Sequence, residues 1–399
     1  MPPFSSQRKT TSIRPNRVLL GAAALCFAWV WAGCMGNKPA APQAAAGPYV
    51  GAQACAECHA GIFKKQSRSP HARTLRPAEA GSAEFQHAER VRQRHPQNGL
   101  EYRLVERNGQ WQQVRFRGEQ EVGAASIQYL LGSGAHGVSP MTRDAKGWRY
   151  LMLTYYAHGG WDLSPMHGLN PASLEDKGED GWPVAPGELQ KCWSCHSTHL
   201  EFEGSEVAPE RSELGVRCES CHGPGRAHVE AARAKSADLA IQNPAKWSSE
   251  SLAALCQQCH NETATVEGTM MGISDDPADP NTVKYHVHGM KQSSCFRKSS
   301  GKFSCLTCHD PHDRSETTPA FYEARCNRCH QPQSAGQVAC SAGKTSGCLT
   351  CHMPKVEVAK YTRFADHWIR ARSPFVDPAL LRAALGGKAA HGASSRSSR

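Results

Sequence analysis

The chain of 399 residues has few of the side chains that fill an ordinary hydrophobic core. Aromatic residues make up 7% and hydrophobic residues 39% of the sequence, which is little for a chain of this length. Long hydrophobic runs are also missing. The run from Val18 to Ala32 has only fifteen residues, whereas a membrane-spanning helix needs about 20. These shortages disfavour a membrane span and predict that something other than apolar side chains fills the interior.

Cysteine, by contrast, is abundant, and 14 of the 18 cysteines occur in seven copies of Cys-x-x-Cys-His. The copies are Cys55-Ala-Glu-Cys58-His59, Cys192-Trp-Ser-Cys195-His196, Cys218-Glu-Ser-Cys221-His222, Cys256-Gln-Gln-Cys259-His260, Cys305-Leu-Thr-Cys308-His309, Cys326-Asn-Arg-Cys329-His330 and Cys348-Leu-Thr-Cys351-His352. In this motif the two thiols form thioethers with one porphyrin and the histidine ligates its iron. The sequence therefore predicts seven covalently attached haems c, which also supply the missing apolar surface.

Two other interpretations of Cys-x-x-Cys pairs are zinc ribbons and thioredoxin-like redox pairs. Either would require the following histidine to be accidental. With 20 histidines in 399 residues, seven consecutive accidents are not credible, so the haem interpretation is preferred.

The N-terminus predicts export, which agrees with thioether attachment outside the cytosol. Residues 1–33 have a basic start and an apolar stretch, and their end, Trp31-Ala32-Gly33-Cys34, resembles a lipobox with Trp31 in place of the usual Leu. We expect a lipoprotein signal peptide, a lipid anchor at Cys34 on the periplasmic face of a bacterial membrane, and a flexible tether over 34–48. The alternatives are a simply cleaved signal, giving a soluble periplasmic or extracellular protein, and an uncleaved anchor.

The formal net charge of +10 does not indicate nucleic-acid binding. Removing the leader takes away four basic residues and lowers this charge to +6. Fourteen propionates on seven haems would bring the holoprotein to about −8. The basic residues are better explained as partners of propionates inside a haem-dense body.

Motif spacing predicts the domain organisation. Residues 49–371 form the seven-haem cytochrome domain, with a small β-containing insertion at about 100–160, between the first and second motifs, that includes an Asn108-Gly109 hairpin signal. The predicted fold class is mostly α with long loops, wrapped around stacked haems. Residues 372–399 are rich in Gly, Ala, Ser, Lys and Arg, so we expect a largely disordered tail.

Thirteen histidines remain after the seven motif histidines, enough to cap the distal side of every iron. Their spacing favours three distal ligands. His71 follows His59 by 12 residues, His228 follows a Gly-Pro-Gly turn after the third motif, and His312 is too close to His309 to cap the same iron. A haem with two histidine ligands only passes electrons, whereas an open haem can bind substrate.

Several phrases resemble a known multihaem cytochrome family, namely CESCHGPGRAH, CLTCHDPHD, GSGAHGVSP, HVHGMKQSSCF and CHMPK with a downstream DHWI. This family includes the tetrahaem electron acceptor of hydroxylamine oxidoreductase and its larger superfamily relatives, and the similarity spans about residues 49–371. The resemblance implies closely stacked haems and further distal ligands at His136, His286, His288 and His367. The remaining histidines are interpreted as non-ligands: His87, His95, His158, His167, His199 and His391.

The chain also departs from enzymatic members of that superfamily. It has no Cys-x-x-Cys-Lys, which the pentahaem nitrite reductases use, and it has seven motifs where the octahaem enzymes have eight. Cys295 and Cys340 lie outside the motifs and are either a disulfide or buried thiols.

These observations predict an electron carrier without a catalytic side chain, which accepts electrons from donor cytochromes or quinol-linked proteins and passes them to acceptor cytochromes or terminal reductases. The alternative is an oxidoreductase acting on a small nitrogen or sulfur compound at one five-coordinate haem. Its proton donors would come from His167, His199, Tyr155 and Tyr156.

Overall fold

The computed structural model describes residues 47–164, 179–260, 264–266, 269–271, 280–330, 340, 343–344 and 346–370. The predicted signal peptide, its Cys34 anchor, most of the tether and the C-terminal tail lie outside the described residues, as do His167 and His391. In the described part of the chain, no helix is long and apolar enough to traverse a bilayer.

The helices are short and most of them carry haem motifs. They are Ala52–Gln66 (α1), Pro186–His196 (α2), Cys218–His222 (α3), Arg226–Arg233 (α4), Ser249–Gln257 (α5), His286–Gln292 (α6), Ser294–Lys298 (α7), Pro319–Cys326 (α8) and Cys348–His352 (α9). Helices α1, α2, α3 and α9 contain a complete motif, and α5 and α8 lead into one. A helical turn suits the motif because positions i, i+3 and i+4 share one face, so both thiols and the imidazole point the same way.

The strands are more numerous than the helices in the described residues. They are Leu75–Pro77 (β1), Arg92–Arg94 (β2), Glu101–Arg107 (β3), Gln110–Arg117 (β4), Gln120–Ser126 (β5), Tyr129–Leu131 (β6), Gly137–Asp144 (β7), Gly147–Tyr150 (β8), Leu153–Tyr156 (β9), Gly160–Leu163 (β10), Trp182–Val184 (β11), Ser197–His199 (β12), Phe202–Glu203 (β13), Glu206–Val207 (β14), Glu213–Leu214 (β15), Ala264–Val266 (β16), Thr269–Met271 (β17), Lys355–Ala359 (β18) and Thr362–Ala365 (β19).

These strands form two substantial antiparallel sheets. One has four strands in the order β2-β3-β4-β5, and the other has seven, in which β1-β6-β7-β8-β11 form the main path and β9 joins β7 to β10. The predicted hairpin at Asn108-Gly109 is present, with Arg107 opposite Gln110. Asn108 has φ 52° and Gly109 has φ 75°, the two positive values that a tight hairpin turn requires.

The prediction of a mostly α fold is therefore wrong. Besides the two large sheets, four two-stranded ribbons occur in the described residues, two of them between the second and third motifs. The sequence-wide shortage of aromatics was misleading because five of the nine tryptophans are concentrated in one hydrophobic core, as Trp111, Trp148, Trp161, Trp182 and Trp193. That core extends from Leu75 to Val207, whereas a second, small cluster comprises Ala253, Val287, Met290 and Phe296.

Candidate haem-attachment sites

Most of the haem motifs line one cavity. It has a volume of about 3560 Å³ and is lined by cysteines or histidines of the second to seventh motifs. A pocket for a single drug-sized ligand has about 300–1,000 Å³, so this space suits several large cofactors. The cavity walls also carry five of the predicted distal ligands: His71, His136, His286, His312 and His367.

The donor groups do not form a bare metal site. In the ranges that the structure describes, no group of three or more His, Cys, Asp or Glu side chains converges as a metal cage. A structural zinc site needs four such ligands around one point. Paired thiols beside an isolated histidine instead fit a macrocycle that brings its own four nitrogens, so the residues present fit haem.

Three pairs of histidines with parallel or moderately tilted rings have the separation expected across a haem iron. With metal–nitrogen bonds of about 2.0 Å and about 1.2 Å from nitrogen to ring centre, two imidazoles on opposite sides of one metal have centroids about 6.4 Å apart. The centroid distances are 6.3 Å for His59 and His228, 6.1 Å for His222 and His312, and 6.3 Å for His309 and His367. In each pair a motif histidine faces a predicted distal ligand.

The distal rings are also oriented by hydrogen bonds. His228 Nδ1 is 2.8 Å from the Leu239 carbonyl oxygen, His367 Nδ1 is 2.9 Å from that of Ala365, and His312 Nδ1 is 3.2 Å from Asp310 Oδ1. A proton on Nδ1 that donates to such an acceptor leaves Nε2 unprotonated for the metal, which is the usual arrangement around ligating histidines.

Two motif histidines are oriented in the same way. His222 Nδ1 is 2.8 Å from the Gln242 carbonyl oxygen, and His196 Nδ1 is 3.1 Å from the Thr74 carbonyl oxygen. Their Nε2 atoms are therefore available for iron.

The iron site of His260 has two distal candidates. The ring of His71 lies 6.1 Å from that of His260, and the ring of His286 lies 5.9 Å from it. His71 is bonded to the Pro311 carbonyl, as a ligating histidine would be. Burial lowers the pKa of His286 well below its usual value, and neighbouring histidines lower it further, so this ring is neutral as ligation requires.

The other predicted distal ligands stand beside aromatic rings. His136 lies 4.7 Å from the Phe364 ring, and His288 is buried 6.4 Å from the Trp368 ring. Their pairing with particular irons remains a prediction.

Two of the predicted non-ligands have other partners. His199 Nε2 is 2.7 Å from Glu201 Oε1, and its ring stacks on Tyr49. His95 Nδ1 accepts hydrogen bonds from the backbone of Gln97 and Asn98. Both rings therefore serve local structure.

The haem motifs follow one another in space. Close approaches of side chains link Cys55 to Cys218, Cys195 to Cys259, and Cys256 to Cys305. In addition, Cys221 neighbours Cys256, and Cys326 neighbours both Cys308 and Cys348. The attachment sites thus form a continuous series in the order one, three, four, five, six, seven, with the second beside the fourth.

The second motif is embedded in the β core, which sequence reasoning missed. Trp193, between its two cysteines, is fully buried and lies 4.9 Å from the Trp148 ring and 5.5 Å from the Tyr129 ring. Tyr150 is in hydrogen-bonding contact with Cys192. The only signal in the sequence was Trp193 itself. It is a large aromatic residue directly after the first cysteine of the motif, where most other copies have a small or polar residue.

Cys295 is a half-buried free thiol close to the motif cysteines Cys308, Cys326 and Cys329. It is not joined to Cys340 by a disulfide in the structure.

Comparisons with known proteins agree with these sites. A profile of the family described as cytochrome c554 and c-prime matches residues 166–223, which contain the second and third motifs. The multiheme cytochrome MtrA of Shewanella baltica (strain OS185) is 25% identical over 210 residues, which cover 49% of this chain and 61% of MtrA. The chain is a relative of the multihaem c-type cytochromes. This relationship implies covalently bound haem c and supports electron transfer as the general function.

A second curated relative is the dissimilatory sulfite reductase MccA of Wolinella succinogenes, which is 21% identical over 242 residues, or 46% of this chain and 32% of MccA. The chain thus covers less than two thirds of either curated relative. Among solved structures, the outer cell wall cytochrome OcwA matches with a TM-score of 0.46 and 16% identity, over 85% of this chain and 82% of OcwA. The finer relation to the tetrahaem acceptor of hydroxylamine oxidoreductase remains a prediction, because the family profile matches only a short segment.

Proposed function

We propose that this protein is a seven-haem electron carrier in which electrons pass between adjacent haems along the series of motifs. The observation that carries the proposal is the set of three histidine pairs with centroid distances of 6.1–6.3 Å. Each haem supplies a one-electron couple, and two histidine ligands favour electron passage over substrate binding. The polypeptide holds the rings in place, fixes the tautomer of each imidazole and keeps neighbouring attachment sites in contact.

Two sites of the series are suited to exchange with partners. Cys58 and His59 of the first motif, at one end, are exposed, and so are Cys329 and His330 of the sixth, which is next to the other end. We infer that donor and acceptor redox proteins approach these two sites, because electron transfer needs a short distance and no deep binding pocket. Export and a lipid anchor at Cys34 belong to this proposal and would hold the carrier at the periplasmic face of a membrane.

The enzymatic alternative has less support. Two of its candidate proton donors in the described residues have other partners. His199 Nε2 is paired with Glu201 Oε1, and the Tyr156 hydroxyl donates to the Leu163 carbonyl oxygen at 3.4 Å. Burial also raises the pKa of Tyr156 far above its usual value, so it is a poor proton donor. Tyr155 lines the cavity but packs edge-on against Trp161.

The proposal is tested on the purified holoprotein by intact mass and low-temperature EPR. We expect a mass increase equal to seven haems and spectra dominated by low-spin iron. Fewer haems would contradict the count. A high-spin fraction near one haem in seven that changes with nitrite, hydroxylamine or carbon monoxide would reveal an open iron and favour the enzyme.

A further inference from the structure

Two glutamates from the third-motif segment hold the start of the helix that carries the first motif. Glu219 accepts hydrogen bonds from the backbone N–H groups of Val50 at 3.0 Å and Gly51 at 2.8 Å, and Glu213 accepts one from Ala52 at 2.6 Å. Helix α1 begins at Ala52, where its N–H groups lack partners within the helix and favour negative charge. The first and third attachment sites are thus joined through these two carboxylates.

The two carboxylates are not equivalent. Both oxygens of Glu219 have partners, because Oε1 also accepts the Gly225 N–H at 2.6 Å. Glu213 uses only Oε1, and its Oε2 is buried without a hydrogen bond in the described structure. An ionised carboxylate with an unsatisfied buried oxygen is costly, and protonation removes that cost.

The surroundings of Glu213 contain charges of both signs. Burial raises its pKa and the Glu219 carboxylate raises it further, whereas the Ala52 N–H, Arg217 and His199 act in the opposite direction. The net pKa lies above the usual value for glutamate. Glu213 therefore takes up a proton more readily than an ordinary glutamate.

The pair is also close to both attachment sites. The Cys55 and Cys218 side chains are in contact with each other, and both glutamates act electrostatically on Cys55, as Glu213 does on Cys218. A change of charge at either haem would consequently change the electrostatic potential at Glu213.

We propose that Glu213 is the proton acceptor of the junction between the first and third haem sites, so that electron arrival there is coupled to proton uptake. The inference rests on the proposed function, because it requires haem at both motifs. Glu213 gains one proton from solvent for one electron delivered by a donor protein or an electrode. The only bond formed is O–H on its carboxylate, and the added negative charge is neutralised.

The test is a spectroelectrochemical titration of the holoprotein over about pH 4 to 9, comparing the wild type with Glu213→Gln. In the wild type we expect the midpoint potential of one or two haems to fall as pH rises, by up to a tenfold change in equilibrium constant per pH unit, or about 59 mV for one electron. Glu213→Gln keeps an acceptor for the Ala52 N–H but cannot titrate, so this slope should disappear. The variant's potential should exceed the wild type's at high pH and match it at low pH.

The control is Glu57→Gln, which removes an exposed carboxylate between the cysteines of the first motif. It should retain the pH slope. Redox difference infrared spectra give a second readout, because a carboxylic C=O band should grow on reduction of the wild type and be missing in Glu213→Gln.

If the midpoint potentials of all haems in the wild type did not depend on pH, the inference would be overturned, whether or not the Gln variant folded. An unchanged slope in a folded Glu213→Gln protein would overturn it as well. Neither result would contradict the proposed function, which is tested separately by the haem count and the spin state of the irons.

Discussion

The imidazole rings of His222 and His312 lie 6.1 Å apart and only 15° from parallel. His222 follows the cysteines of the third motif, and His312 follows the fifth motif, so the two proposed ligands of one iron come from different attachment segments. In this proposed pairing His312, three residues after His309, caps the iron of another motif rather than that of its own. Each such cross-pairing ties two haem segments together and makes the spacing of the series depend on the fold.

Replacing His312 by Ala should open the iron held by His222. We expect about one seventh of the haem signal to change from low-spin to high-spin and to bind carbon monoxide, because the sixth ligand is lost. EPR and optical spectra measure both effects. The matched control is His199→Ala, since His199 is bonded to Glu201, and its spectra should equal those of the wild type. A fully low-spin His312→Ala protein would remove His312 from the ligand set.

Replacing Trp193 by Ala should loosen the second motif from the β core. The side chain is fully buried against Trp148 and Tyr129, and deletion of such a residue costs about 3–5 kcal/mol. Thermal unfolding followed by circular dichroism should show a clearly lower midpoint. Trp247→Ala, at a partly exposed position, should lower it much less, and equal effects would refute the anchoring role of Trp193.

Replacing Gly109 by Ala should destabilise the β3–β4 hairpin. Its φ of 75° is a left-handed conformation that costs a residue with a side chain about 1–2 kcal/mol. Gly187→Ala is the control, because no atom lies near its missing Cβ and helix α2 favours alanine. The denaturant midpoint should fall for Gly109→Ala and should stay unchanged or rise for Gly187→Ala. The free energies of unfolding of the two variants should differ by at least the cost at Gly109.

Preventing haem attachment should destabilise residues 217–370 more than residues 75–207. The core from Leu75 to Val207 is built from side chains, whereas the described residues of the segment that follows have the small cluster around Val287 and Met290 and supply much of the cavity wall. Limited proteolysis of protein expressed without the attachment machinery should cut first within 217–370 and spare 75–207. Uniform digestion would show that the β core also depends on haem.

Local patterns in the sequence were sufficient to predict the attachment residues, which remain a prediction, and the Asn108-Gly109 turn, which the structure confirms. Both depend on neighbours within five residues, and short-range geometry determines them. The fold class was predicted wrongly because composition averages over the chain: the tryptophans of the β core are separated by up to 82 residues and become one cluster only when the sheets form. The role of Glu213 was missed for a similar reason, since its partner Ala52 is 161 residues away.

What the sequence by itself determined is the chemistry: seven pairs of thiols with a following imidazole predict covalent haem attachment whatever surrounds them, because the motif closes within one helical turn. Only the tertiary structure decided which histidine stands opposite which, which attachment sites touch, and which carboxylate is left with an unbonded oxygen. Those relations join segments separated by tens to hundreds of residues. They follow from how the sheets, short helices and cavity walls pack, which no local pattern encodes.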